Sequence, residues 1–310
     1  MNATLQQQLA STPGLRARFD EPMAAHTTYK VGGPAAAFVE VHSPDALVRL
    51  LALLAAAAVP WLVLGNGSNA LFADRGYSGA VLHLGQGFDH VAVARDAGGP
   101  GTHRLSAGAA LSVTRLLRFV KDEQLSGVEF LGGIPGTVGG AVRMNAGTAA
   151  GEVSATLEAA ELTNAGGASW VPAAALGLRY RHSELPEGSV VTAARFAVRD
   201  ADPDMRQRLD AVLAYRKATQ PLQAPSCGSV FANPPGDHAG RLIEAAGLKG
   251  HTVGGAQVSE QHANWIINRG GASAADVHAL IALCRRTVFE RFGVELHHEV
   301  QLLGDWEVTA

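Results

Sequence analysis

Apolar positions cluster in short runs separated by polar and glycine-bearing breaks, a pattern that predicts strands interleaved with helices. AAAFVEV at 35–41 reads as a strand, a leucine- and alanine-rich helix follows to about Ala58, and WLVL at 61–64 reads as the next strand. Ser43, Pro44 and Asp45 mark the helix start: an N-cap hydroxyl, a proline at the first helical position and an acid at the positive dipole end. Together these make one β-α-β unit. AVLHL at 80–84 is a further strand, and HVAVARDAGGPGTHRLSAG reads as a hairpin. Ser112 opens a second helix, SVTRLLRFVKDEQL, with Gly127 just past its end.

Short β-like runs dominate next: ATLEAAELTN, ASWVPAA and VVTAARFAV. Asp202-Pro203-Asp204 punctuates the chain and starts the helix DMRQRLDAVLAYRKATQ, which leads into the proline- and glycine-bearing QPLQAPSCGS. A domain boundary falls near residue 200. Beyond it, HAGRLIEAAG is a short helix ended by Gly247, and SAADVHALIALCRRTVFERFG is a long amphipathic helix capped by Ser273 and ended by Gly293. ELHHEVQLL is a closing strand.

Composition narrows the classes. The chain has 310 residues, 47% hydrophobic and 17% charged, with a net charge of -3. That suffices for two or three domains with real cores and gives no electrostatic case for nucleic acid or an anionic membrane. Two cysteines, Cys227 and Cys284, are too few for a disulfide framework or a zinc cluster, which fits a reducing compartment. The N-terminus lacks a basic segment followed by an apolar one, so no signal peptide is expected. The longest apolar run, LLALLAAAAVPWLVLG at 50–65, is short for a membrane span and is cut by Pro60. It reads as a buried helix running into a buried strand, and the expected setting is the cytoplasm.

Three stretches carry candidate chemistry. In VLGNGSNALFAD (63–74), Gly65, Gly67 and Ala70 satisfy G-x-G-x-x-A after a strand. A dinucleotide fingerprint needs a helix opening there, whereas LFADRGYSG breaks at Asp74-Arg75-Gly76 and runs into another strand. Asn66, Ser68 and Asn69 leave two readings open, a plain turn or an anion-cradling nest of backbone N–H groups. GGIPGTVGGAVRMNAG (132–147) places six glycines in sixteen positions. Pro135 restricts Ile134 to extended geometry, and paired glycines let main chain lie flat against a large planar or diphosphate-bearing cofactor. A tight crossing of two chain segments is the alternative; Thr137 and Asn145 among the glycines favour the ligand.

The third set is distributed: Tyr180-Arg181-His182-Ser183, Ser226 to Pro234, and HHEV at 297–300. In a period-2 strand Val294, Leu296, His298, Val300 and Leu302 share one face, and Glu295, His297, Glu299 and Gln301 the other. His297 and His298 therefore point apart, and no metal site is expected. Ser229 has no G-x-S-x-G elbow, which argues against a hydrolase nucleophile, and Cys227 reads as an unreactive small residue.

Taken in order, TTYKVGGPA, LGNGSNALF, GVEFLGGIPGTVGGAVRMNAG, YRHSELP, CGSVFANPPGDHAGRLIEAAGLKGH, GGAQVSEQHANWIIN and HEVQLLG resemble the UDP-N-acetylenolpyruvoylglucosamine reductase family. These are flavoenzymes that complete UDP-N-acetylmuramate in bacterial cell-wall synthesis, and the resemblance runs from about residue 20 to 304. It implies an α+β fold. A two-subdomain FAD-binding domain of the vanillyl-alcohol-oxidase (PCMH-like) type would occupy 1–200, with subdomains of about 1–84 and 85–200. A C-terminal α/β substrate-binding domain would follow at 201–310, its last strand carrying Glu299.

The resemblance also assigns residues. Non-covalent FAD would meet Val31, Gly32, Gly33, Gly65, Asn66, Gly67, Ser68, Asn69, Gly132, Gly133, Ile134, Pro135, Gly136, Gly139, Gly140, Asn145, Ala146 and Gly147. Arg181, Ser229 and Glu299 match the family's catalytic positions, and Tyr180, Arg216, Lys217 and Asn233 fall where it holds the UDP-sugar. NADPH would supply hydride through FAD to the C3 methylene of UDP-N-acetylglucosamine enolpyruvate. Arg181 and a protonated Glu299 would stabilise the charge built at C2 and its carboxylate, and Ser229 would protonate C2. No obligate protein partner is implied.

One departure stands out. Some members carry an inserted tyrosine-bearing loop after the Tyr-Arg motif; here about two dozen residues separate Arg181 from the helix near 204, with no tyrosine among them. The chain resembles the class lacking that loop. Another flavoenzyme of the same cofactor fold, such as an oxidase, is the first alternative, and a flavin-free NAD-dependent dehydrogenase resting on GNGSNA the second.

Overall fold

The computed structural model describes residues 1–306; Glu307 to Ala310, the end of the expected C-terminal domain, lie outside the described residues. The chain forms two compact units, each discontinuous in sequence: residues 1–19, 37–65 and 79–215 in the first, and 20–36, 66–78 and 216–310 in the second.

In the first unit, Ser43 accepts a hydrogen bond from the Ala46 N–H and opens the helix Pro44–Ala56. That helix buries Leu47, Leu50 and Leu54 completely. The strands Pro34–Val41 and Trp61–Val63 that flank it in sequence share one sheet, but Tyr77–Leu84 lies between them. Trp61–Val63 pairs in parallel with Tyr77–Leu84, Trp61 opposite Ala80. The predicted β-α-β unit is present, with its two strands separated by a third.

The larger sheet is antiparallel, in the order Gly167–Pro172, Leu157–Asn164, Val190–Asp200, Thr102–Gly108, Val91–Ala94. Val91–Ala94 and Thr102–Gly108 are the predicted hairpin, with Val91 opposite Ala107. Helix Val113–Asp122 starts where Ser112 accepts from the Arg115 N–H. It ends earlier than expected, because Gln124 turns with φ of 53° and Leu125–Ser126 joins the edge of Val190–Asp200.

The core of the second unit is the helix Ala274–Phe292, which buries Val277, Leu280, Ile281, Cys284 and Val288 against Phe231, Ile243 and Val300. Tyr29, Val31 and Leu71 lie in the same core. Strand Ala70–Phe72 pairs in parallel with Gln301–Leu303, and Asn268 Nδ2 donates to the Tyr29 carbonyl at 2.9 Å. Asp74 caps the long helix, its two carboxylate oxygens each accepting at 2.8 Å from the Ala274 and Ala275 N–H groups. The expected cut near residue 200 therefore does not separate the compact units. Residues 20–36 and 66–78 are held with the C-terminal part of the chain by backbone pairing and by burial of their aromatic and aliphatic side chains.

A second difference concerns the closing segment. Only Gln301–Leu303 is a strand; upstream, the ladder shrinks to a single bridge between Phe231 and His298. Alternation survives, with Leu296 and Val300 buried and Glu295, His297 and Gln301 exposed, but His298 is exposed against expectation. Its Nδ1 sits 2.9 Å from the Val300 carbonyl, a local contact that turns the ring off the apolar face. No helix among the described residues is long and apolar enough to cross a membrane.

The long helix begins with a reciprocal capping box, Ser273 accepting from the Asp276 N–H at 3.0 Å and Asp276 accepting from the Ser273 N–H at 2.9 Å. Replacing Ser273 with Ala is expected to lower stability by about 1 kcal/mol. A urea titration measures it as a drop in midpoint at unchanged slope.

Candidate functional site

In the first unit, Tyr180 and Arg181 form the two-residue loop of a tight turn. Arg179 and His182 exchange both backbone hydrogen bonds, at 3.1 and 2.9 Å. The loop forces Arg181 to φ of 56°, a left-handed conformation that an arginine adopts only where its surroundings hold it. They do. Arg181 Nη2 donates to the Gly147 carbonyl at 2.9 Å, and its guanidinium lies 4.8 Å from the ring centre of the half-exposed Tyr180. The neighbouring Ser183 hydroxyl donates to the Arg143 carbonyl at 2.7 Å, and Arg143 Nη1 returns a bond to the Ser183 carbonyl at 2.8 Å. Asn145, fully buried, donates through Nδ2 to the Arg179 carbonyl at 3.1 Å and accepts at Oδ1 from the Ser154 N–H at 2.8 Å. The turn bearing Arg181 is thus bolted to the end of the glycine-rich stretch.

That stretch is not a flat ribbon. Thr137 accepts from the Gly140 N–H and caps a short helix, Val138–Arg143, which contains Gly139 and Gly140. A Cβ on Gly139 would stand 2.9 Å from the Ala109 Cβ, and one on Gly147 would overlap the Gly151 carbonyl. At Gly132 it would stand 3.0 Å from both the Glu129 carbonyl and Leu209 Cδ1. The tight-crossing alternative therefore accounts for several of these glycines. Gly140 differs, since its added Cβ would meet nothing nearer than Thr137 Oγ1 at 3.6 Å. Around it lie Gly136, with φ of 141°, and the hydroxyl of Thr137, so an open, uncharged stretch of main chain remains. Small size, no charge and main-chain donors suit a flavin and its diphosphate.

In the second unit, Gly67 turns with φ of 62°, and an added Cβ there would overlap the His26 carbonyl. Strand Ala70–Phe72 follows, so no helix opens at the G-x-G-x-x-A glycines and the dinucleotide fingerprint is absent. Val31 is buried, with its carbonyl accepting from Thr27 Oγ1 at 2.9 Å. Asn69 Nδ2 donates to the Glu299 carbonyl at 3.0 Å, and the Asn69 carbonyl accepts from the Gln301 N–H at 3.0 Å.

The same unit brings Ser229 and Glu299 to one joint. Val230 follows Ser229, and its carbonyl accepts from the Glu299 N–H at 2.7 Å. On the other side the Val230 N–H donates to the Asn264 carbonyl at 2.9 Å. Both side chains in question are half-buried. Of the expected substrate residues, Asn233 Oδ1 accepts from the Ala239 N–H at 3.1 Å. Arg216 is half-buried, its Nε without a hydrogen-bond partner and its pKa lowered by burial, while Lys217 is exposed.

A family model of the C-terminal domain of UDP-N-acetylenolpyruvoylglucosamine reductase matches residues 220–303, and an FAD-binding-domain model matches 35–170. A UDP-N-acetylenolpyruvoylglucosamine reductase of Myxococcus xanthus (strain DK1622) is 48% identical over 99% of this chain and 98% of its own. The chain belongs to the UDP-N-acetylenolpyruvoylglucosamine reductase family. A second reductase of that name, from Anaeromyxobacter sp. (strain Fw109-5), is 48% identical over 93% of this chain and 88% of its own. The crystal structure of the Thermus caldophilus reductase superposes with a TM-score of 0.78 at 37% identity, covering 93% of this chain and 98% of that one. The reductase fold, with its FAD-binding domain, is therefore the fold of this chain.

Cys227, two residues before Ser229, is a buried free thiol. Burial raises its thiol pKa from an ordinary 9.0 to about 12, and the Glu299 carboxylate, when ionised, adds to the rise. Burial alone does the same for Cys284, also to about 12. Tyr29, wholly buried beside Cys227, has its own pKa pushed up by burial and by that thiol, and its hydroxyl lacks a partner of hydrogen-bonding geometry. Because both thiols stay protonated in the fold while the unfolded chain ionises, their stabilising contribution is full below pH 9.0 and is lost as pH climbs toward about 12. Each is worth about 1.4 kcal/mol per pH unit in that window. Equilibrium unfolding between pH 8.5 and 10.5 should show stability falling with pH, and Cys227→Ala with Cys284→Ala should flatten the slope.

Proposed function

We propose that this protein reduces the enolpyruvyl group of UDP-N-acetylglucosamine enolpyruvate to give UDP-N-acetylmuramate, using NADPH and non-covalent FAD, in the cytoplasmic part of peptidoglycan synthesis. Family membership over nearly the whole chain supports the reaction, and the observation that carries the residue roles is the Val230 joint. Ser229 directly precedes Val230, whose carbonyl accepts from the Glu299 N–H, and this supports roles for the two residues in one reaction.

Bound FAD supplies the hydride acceptor and donor chemistry that no side chain here provides. The residues do the rest. Main chain at 31–33, 65–69, 132–136, 139–140 and 145–147 meets the cofactor, with uncharged surfaces that do not compete with its own charge. Arg181, always cationic, donates to the substrate carboxylate and offsets charge that grows there during reduction. Glu299 joins it as a hydrogen-bond donor, which a carboxyl group does only when protonated. Ser229 holds the proton for C2. Tyr180, Arg216, Lys217 and Asn233 hold the UDP-sugar, the two cations suiting its diphosphate. With no tyrosine between Arg181 and the helix near 204, closure over the substrate would fall to other residues.

The purified protein should be yellow, release FAD on denaturation and oxidise NADPH only when UDP-N-acetylglucosamine enolpyruvate is present. A colourless protein that FAD does not reconstitute, or NADPH oxidation driven equally by oxygen alone, refutes the reading. Ser229→Ala should keep flavin reduction by NADPH within about threefold of wild type while turnover falls by about 10²-fold or more. Steady-state turnover near wild type would remove Ser229 as proton donor.

A further inference from the structure

Asn264 lies in the motif HANW and is 4% exposed, flanked by the buried Ala263 and Trp265. A buried carboxamide needs partners for its donors and acceptors, and both side-chain bonds of this one go to a single residue. Its Oδ1 accepts from the Phe231 N–H at 2.9 Å, and its Nδ2 donates to the Phe231 carbonyl at 2.8 Å. The Asn264 main-chain carbonyl takes the Val230 N–H at 2.9 Å. The residue therefore closes three hydrogen bonds on the two positions directly after Ser229.

The opposite contacts of that segment belong to the closing part of the chain. The Val230 carbonyl accepts from the Glu299 N–H at 2.7 Å and from the Val300 N–H at 3.4 Å, and the Ala232 N–H donates to the His297 carbonyl at 3.0 Å. Asn264 thus takes the place of a neighbouring strand, with a side-chain amide presenting the N–H and C=O pair that a peptide would. Asn264 is itself fixed, since the Trp265 N–H donates to the His262 carbonyl at 3.0 Å and the Ser259 N–H to the Trp265 carbonyl at 2.7 Å. Gly228, directly before Ser229, turns with φ of 82°.

We infer that Asn264 is a positioning residue for the proton-delivery step: its clasp on Val230 and Phe231 sets where Ser229 and Glu299 stand together. The inference rests on the roles proposed above for Ser229 and Glu299. Removing the clasp leaves Phe231 with an unpaired N–H and C=O in the core and frees the joint to shift, and a displacement near 1 Å at a reacting group is enough to cost about 10²-fold in rate.

The test uses the FAD-loaded protein and three variants, Asn264→Ala, Asn264→Asp and Ser229→Ala. Asn264→Asp keeps size and the acceptor for the Phe231 N–H but loses the donor to the Phe231 carbonyl, so it reports on the clasp even if Asn264→Ala does not fold. Hydrogen exchange followed by mass spectrometry, without substrate, should speed up about tenfold in peptides covering both 228–233 and 297–301. Rapid mixing should show flavin reduction by NADPH within about threefold of wild type and reoxidation by UDP-N-acetylglucosamine enolpyruvate slowed by about tenfold to 10²-fold. The inference fails if exchange rises only in 228–233, if reoxidation is unchanged, or if flavin content and both half-reactions fall together. Ser229→Ala separates the two levels: normal reoxidation there overturns the role of Ser229, whatever the Asn264 variants do.

Discussion

The carbonyl of Val230 joins two distant segments of the second unit. One peptide away is Ser229, and the group donating to that carbonyl at 2.7 Å is the N–H of Glu299. That one hydrogen bond joins the backbone next to Ser229 to the backbone of Glu299, so a shift of either segment moves the two residues relative to each other. A bridge this short is weak by itself; one isolated pairing between Phe231 and His298 is all the ladder there is. Its rigidity is borrowed from Asn264 on one side and from the parallel pairing of Gln301–Leu303 with Ala70–Phe72 on the other.

Glycine serves two ends in this fold, and they are separable residue by residue. At Gly67, Gly139 and Gly147 a side chain would strike backbone or a neighbouring Cβ, so the residue is required before any ligand arrives. At Gly140 it would make only an ordinary contact, with Thr137 Oγ1 at 3.6 Å. A glycine of the first kind lets the chain fold tightly enough to expose main-chain donors. One of the second kind keeps a surface clear. A sequence shows both as the same letter, which is why a count of glycines alone cannot divide packing from binding.

Much of the architecture was legible because its signals are local. Ser43, Ser112 and Ser273 each cap the helix they announce, and Gly293 ends the last one in the left-handed conformation, with φ of 67°. The hairpin at 91–108 and the strands at 157–172 and 190–200 follow their apolar runs. What local pattern could not carry was partition. Residues 20–36 and 66–78 pack with a core formed more than 150 positions later, through contacts such as Asn268 to Tyr29 and Asp74 to Ala274 that no window on the sequence contains. The same holds for the site. Its motifs were visible in order, but the hold of Asn69 on Glu299 and of Asn145 on the Arg181 turn depends on separations of 230 and 34 residues. A polar residue stranded in an apolar run, as Asn264 is between Ala263 and Trp265, was the one local hint that a buried partner had to exist.

The choice of side chain for these holds is itself informative. Asn69 secures the Glu299 carbonyl, Asn145 the turn carrying Arg181, and Asn264 the segment after Ser229. Each could in principle be an acid or a base with similar reach. A buried charge, however, would act on the titrating groups next to it as well as on the backbone it holds, shifting their protonation through a poorly screened field. A carboxamide offers donor and acceptor together, matches the peptide group it replaces and carries no net charge. Neutral clasps therefore hold the backbone beside Ser229, Glu299 and Arg181 without adding a charge of their own.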